Sequence, residues 1–351
     1  MQKTGRRGMA VWATILAAVC VVAFSGVALA AAQGSSYKLL KKVVLGGEGG
    51  WDYLYADAAT HRVFISRGTH TMVVDADGKL LGDIPNTDGV HGIALAPEFN
   101  RGFTSNGRAS SVTIFDLETL KPINEVKVTG ENPDSILYDP ASKRVFTMNG
   151  RSASATAIDA QTGEVVGTIM LGGRPETAQS DAAGHVFVNL ENKSEIAEVD
   201  SHSLSVLDTW SIAPCEEPSG LAIDVAHKRL FAGCGNKMMA VVDATDGKVV
   251  ATVPIGQGVD ANGFDPGVGN AFASCGDGTL TVAHEDSPDK FTVAQSIQTQ
   301  RGARTMTVDT SSHRLYTVTV EYTPAPAATP ENPRPRPSAV PNSFTLLIYS
   351  R

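Results

Sequence analysis

Apolar and polar residues alternate in short runs along most of the chain, and each run is cut off by a turn. The stretch DPASKRVFTMNGRSASATAIDAQTGEVVGTIMLGG, Asp139 to Gly173, holds three such runs in succession. Val145 and Thr147, like Val63 and Ile65 upstream, alternate with their neighbours, and β-branched or aromatic residues fill the runs. A side-chain period of two predicts β-strands with one face buried.

The turn DPASKRV has counterparts in DAATHRV at Asp57, APEFNRG at Ala96, DAAGHV at Asp181, DVAHKRL at Asp224, DPGVGNA at Asp265 and DTSSHRL at Asp309, seven copies about 42 residues apart. A second aspartate follows in most copies, at Asp75, Asp116, Asp159, Asp200 and Asp243, with His284 in the sixth slot. Each unit reads as four short antiparallel strands, a to d. One such sheet cannot bury both faces, whereas seven stacked around an axis can. The expectation is an all-β, seven-bladed β-propeller occupying residues 33–351 as one domain. An open ring would leave an unpaired edge. The chain ends on a third strand, FTLLIYSR, and the segment YKLLKKVVLGG, Tyr37 to Gly47, repeats the fourth-strand pattern of GEVVGTIMLGG. The amino-terminal strand is therefore expected to complete blade seven as its outermost strand.

Before the first strand, Lys3, Arg6 and Arg7 precede an apolar run that closes on Ala28-Leu29-Ala30. That order predicts a signal peptide over residues 1–32, cleaved near Ala30 to Ala32, and a periplasmic or extracellular mature protein. No later stretch is apolar enough for a membrane span. Losing three basic residues deepens the net charge of −8 to about −11. Such an acidic balance argues against a nucleic-acid partner. A monomer is expected.

Strand alternation puts the a–b and c–d turns on one face, here the bottom, and the b–c and d–a loops on the other, the top. The repeated bottom aspartates Asp57, Asp139, Asp159, Asp224 and Asp243 fit turn-pinning roles, and His61, His227 and His313 repeat in the same turn as scaffold. The top loops diverge between blades, as binding loops do. Arg67, Arg108 and Arg151 occupy the b–c hairpins of blades one to three and could converge on a carboxylate or phosphate. Counting back from each bottom anchor places Asp52, His91, Asp134, Glu176, Ser219, Asp260 and Arg304 at the top of the innermost strands, around the channel mouth. No cofactor is expected, although this ring could hold a divalent cation through carboxylate oxygens and the His91 imidazole. Cys215 and Cys234 are the candidate disulfide, leaving Cys275 free. A proline-rich insert, about 323–343, interrupts blade seven on the top face and could dock a partner or cover the channel.

The repeats KRVFTMNGRSASATAIDAQTGEVVGTI and HRVFISRGTHTMVVDADGKLLGDI resemble the YncE-like family of bacterial seven-bladed propellers, named for a Tyr-Val-Thr-Asn signature, here replaced by VFTMN, GFTSN and LYTVT. The resemblance implies an exported propeller and lends no settled activity. The favoured reading is a non-enzymatic scaffold that uses its top face and channel mouth to bind a small anionic molecule, a peptide or a protein. The alternatives are a metal-assisted lactonase or quinoprotein-dehydrogenase-like propeller and, third, a binder of single-stranded nucleic acid with Trp51 and Tyr53 as stacking fragments. No serine elbow, zinc motif or dinucleotide fingerprint supports an enzyme.

Overall fold

A computed structural model describes residues 1–2, 36–329 and 335–351. The expected signal peptide and its cleavage site fall outside the described residues. Ser36–Arg351 forms one compact unit of seven four-stranded antiparallel sheets. From the axis outward, blade one holds Leu54–Asp57, Arg62–Ser66, Thr71–Val74 and Leu80–Ile84. The innermost strands of blades two to six are Val90–Ala96, Pro133–Asp139, Pro175–Ser180, Pro218–Asp224 and Val259–Asp265.

Blade seven closes the ring. Its inner strands, Met306–Asp309, Arg314–Thr319 and Thr345–Ser350, come from the end of the chain, and Lys38–Val44 pairs outside them. Val44 stands opposite Thr345 and Lys38 opposite Ser350, with one bulge between Leu39 and Lys41. Thr345–Ser350 is thereby paired on both sides, as the sequence pattern anticipates.

Burial explains the repeat residue by residue. The third residue of every second strand is an aromatic, Phe64, Phe103, Phe146, Phe187, Phe231, Phe272 or Tyr316, and each is at most 2% exposed between blades. Removing each ring from water contributes roughly 2–3 kcal/mol. In blade two the preceding residue is Gly102, because a Cβ there would overlap the Phe115 ring. Two buried asparagines of the repeat, in blades two and three, are satisfied locally. Asn149 accepts from the Thr147 hydroxyl and donates to Ser154 and Thr156, and Asn106 does the same with Thr104, Ser111 and Thr113.

The basic residue that opens the second strand joins neighbouring blades. Arg62 donates to the Leu117 carbonyl of blade two, Arg101 to Ala160 of blade three, and Arg144 to Ser201 and His202 of blade four. Arg229 reaches Pro288 of blade six, and Arg314 reaches Ala76 across the seam. A guanidinium donates in several directions at once, which suits it to bridging turn carbonyls. The bottom aspartates pin their own turns: Asp57, Asp139, Asp159, Asp224 and Asp243 all accept from backbone amides two or three residues on.

The lower histidines do more than face solvent. His61 Nδ1 lies 2.7 Å from Asp309 of blade seven, and His313 Nδ1 lies 2.8 Å from Asp265 of blade six. These contacts cross between blades, so they couple neighbours that share no backbone ladder.

Candidate functional site

The upper ends of the innermost strands converge on the axis, so one repeat position from each blade falls on a common circle. All seven residues of the expected ring stand there. His91 Nδ1 is 2.6 Å from Asp52 Oδ2 and 3.8 Å from Asp134 Oδ1. Across the mouth, Arg304 donates to Asp260 at 2.6 Å, and the Ser219 side chain lies near the same carboxylate. Glu176 is hydrogen-bonded to Glu191, and the charge of Asp134 acts on it as well.

Crowding of carboxyl groups sets the electrostatics. Burial pushes Asp260 up to about 6 against the pull of Arg304. Burial also raises Asp134, opposed by His91 and reinforced by Asp52 and Asp260. Glu176 is raised furthest, by burial, by the proton it shares with Glu191 and by Asp134. Burial disfavours a charged His91, but the Asp52 hydrogen bond and the nearby Asp134 charge outweigh it, and its pKa rises. Asp134, Glu176 and Asp260 therefore hold their protons more tightly than in water, while the imidazole favours its cationic form.

Above the ring opens a cavity of about 700 Å³ whose walls include Trp51, Asp52, His91, Arg108, Glu131, Arg151 and Arg304. Gly107 lies against the ring edge of His91, where a Cβ would come within 2.6 Å of Nε2. Arg108 forms an exposed ion pair with Asp88 at 2.8 Å, and Arg151 has no ion pair among the described residues. Below the ring the channel continues as a second cavity of about 610 Å³, lined by neutral side chains apart from Asp57. Charge is thus concentrated at the mouth.

Arg67 does not join Arg108 and Arg151, which corrects the expectation of three converging guanidinium groups. It is 1% exposed, donates to the carbonyls of Gly46, Glu48 and Gly49, and stacks on Phe344. Its Nη1 and Nη2 groups serve the seam, its Nε is buried without a partner, and the side chain does not line the cavity.

The disulfide joins Cys215 to Cys234, whose Cα atoms are 5.4 Å apart, and Cys275 is free and buried. The proline-rich insert is pinned at its base, where Thr323 donates to the Ser338 carbonyl and Val340 to that of Glu321. No described residue of the insert lines the cavity.

Glu191 and its partner Arg174 were not legible as site residues. Glu191 opens a short 3-10 turn, Glu191–Lys193, that interrupts the b–c loop of blade four alone, so no repeat position announces it. Trp51, which the sequence offered only as a stacking fragment, lines the cavity and packs on Phe344 with ring centroids 5.7 Å apart.

No family model matches the sequence, and no curated protein is similar to it. Among solved structures, the chain is similar to Kuenenia stuttgartiensis hydrazine synthase, with a TM-score of 0.66 and 16% identity over 77% of this chain and 92% of that one. That likeness establishes the fold. At such identity it carries nothing about chemistry.

Proposed function

We propose that this propeller is an exported, YncE-like binding protein that takes a small anionic molecule in the cavity at its channel mouth, without catalysing a reaction. The observation that carries the reading is the 700 Å³ cavity flanked by Arg108, Arg151 and Arg304 over a His91 whose cationic form is favoured. Arg151 offers a whole guanidinium fork, and the Arg108 pair with Asp88 is exposed enough to exchange partners. The carboxyls beneath select against a fully anionic guest and suit one that also carries a hydroxyl or ammonium group. Export is supported by the basic-then-apolar amino terminus and by the disulfide, which persists in oxidising compartments.

Titration of the purified protein with a panel of small carboxylates and phosphates, read by calorimetry, tests the reading. A ligand of this site loses at least about tenfold in affinity in R108A/R151A, since a bidentate charge-assisted contact is worth about 1.5–3 kcal/mol. Equal binding by that variant rejects it.

A second reading, metal-assisted ester or lactone hydrolysis, is favoured by one observation. Single ligand atoms from Asp52, His91 and Asp134 all lie within 4.8 Å of one another. These residues would hold a divalent ion, which could polarise a carbonyl. Chelator-sensitive lactone hydrolysis, lost in H91Q, would select this reading over the first.

A further inference from the structure

A separate constellation of one imidazole and two carboxylates lies on the lower face between blades five and six, and the channel-mouth reading makes no use of it. Asp224 ends the inner strand of blade five and is 2% exposed. Three residues on, His227 sits in the a–b turn with its ring half-exposed. Glu285 comes from the third strand of blade six, Thr279–Ser287, with its side chain 5% exposed.

His227 Nδ1 lies 2.7 Å from Asp224 Oδ2 and 3.0 Å from Glu285 Oε1, and one ligand atom from each residue falls within 4.8 Å of the other two. One ring nitrogen carries at most one proton, so it can donate to only one of the two oxygens. The hydrogen bond runs to Asp224, and Glu285 Oε1 is left buried with no hydrogen-bond donor. A carboxylate oxygen shut away from water in this state is costly. Burial and the Asp224 charge accordingly raise the Glu285 carboxyl above its ordinary range.

Two other lower-face histidines, each held across a blade boundary, supply an internal comparison. His61 meets Asp309 alone and His313 meets Asp265 alone, so a single carboxylate suffices to latch an imidazole between blades. Asp224 belongs to the same blade as His227, so here the carboxylate from the neighbouring blade is Glu285, a second one on the same nitrogen. It is not needed to join blades five and six, because Arg229 already donates to the Pro288 carbonyl and pairs with Asp289.

We propose that Asp224, His227 and Glu285 form a binding site for a first-row divalent metal ion of the zinc or manganese class. The ion takes the place of the Nδ1 proton, the imidazole binding as its Nε2–H tautomer, and becomes the missing partner of Glu285 Oε1. One nitrogen and two carboxylate oxygens favour such a metal over calcium or magnesium, which take oxygen alone. Three protein ligands, one of them half-exposed, leave coordination positions open to water or to a ligand group.

Calorimetric titration of Zn²⁺ into the untagged, chelator-treated full chain tests this, run in parallel on D52N/H91Q, which removes the channel-mouth cluster, and on H227Q and E285Q. One ion per chain is expected in the parent at this site and is retained in D52N/H91Q. H227Q and E285Q each weaken it by at least about tenfold, because even the groups that orient metal ligands are worth that much. His227 is on the surface, so H227Q should melt like the metal-free parent, which separates lost binding from lost folding. Absence of stoichiometric binding, or unchanged affinity in both H227Q and E285Q, overturns the proposal.

Discussion

The guanidinium of Arg67 lies 3.6 Å above the ring of Phe344, joining the first hairpin of blade one to the segment that leads into the last strand. The same side chain donates to the carbonyls of Gly46, Glu48 and Gly49, where the chain leaves its outermost strand. One residue thus holds three strands of the seam together.

Truncating it should be felt as lost stability rather than lost binding. R67A strands three carbonyls and a ring face, and is expected to cost about 3 kcal/mol in denaturant unfolding. R67K should recover little of this, because an ammonium lacks the planar fork that stacks and donates at once. A variant with parental stability would show that the seam does not depend on Arg67.

Acid should weaken blade seven through Asp309. Burial opposes its ionisation, but donation from His61, Ser312 and Ser311 outweighs burial and holds its carboxyl down to about 2. A depressed native pKa stabilises the fold above the unfolded value near 4, and that contribution is lost as pH falls from 4 towards 2. The amount at stake is about 2 kcal/mol. D309N should lower stability at neutral pH and flatten the loss between pH 4 and 2; a parallel decline in both proteins would contradict the assignment.

Glu176 should behave in the opposite sense. Its carboxyl is raised by burial, by the hydrogen bond to Glu191 and by the Asp134 charge, so the native state holds a proton that the unfolded chain gives up above pH 4.5. Its contribution therefore falls as pH rises from there. E176Q, which keeps a neutral donor for Glu191, should melt higher than the parent at pH 8 and similarly at pH 4. Equal melting temperatures at pH 8 would refute this.

The disulfide closes a loop with a sequence separation of 19, and its removal in C215S/C234S should cost about 3 kcal/mol. Cys275 is a different matter. Burial, followed by the Asp277 charge, pushes its thiol up to about 12. Iodoacetamide should leave Cys275 unmodified in the native protein and alkylate it after unfolding without reductant, which peptide mass spectrometry reads directly.

The repeat was legible because every blade spends the same residues on the same tasks. Asp139 and Asp243 announce turns by their spacing, and counting back from such anchors placed Asp52, His91, Asp134 and Asp260 on one circle, since propeller symmetry maps one repeat position to one radius. What escaped was whatever depends on a particular neighbour. Arg67 sits in the same hairpin as Arg108 and Arg151, yet it turns inward because only blade one borders the seam and Phe344. Glu191 lies in a 3-10 turn peculiar to blade four. Glu285 follows His284, the residue in the repeat slot, by one place and so falls outside the pattern that made the others visible.

Pairing Lys38–Val44 with Thr345–Ser350 also sets a timetable for biosynthesis. Lys38–Val44 must wait for Thr345–Ser350 through translation of the residues between them, with Tyr37 and Val43 meanwhile unprotected. Six wedges can assemble in order as they emerge, but the torus locks only once Thr345–Ser350 is free to pair, so a nascent chain stalled before that strand would present a gap and a loose ribbon to whatever chaperone attends it.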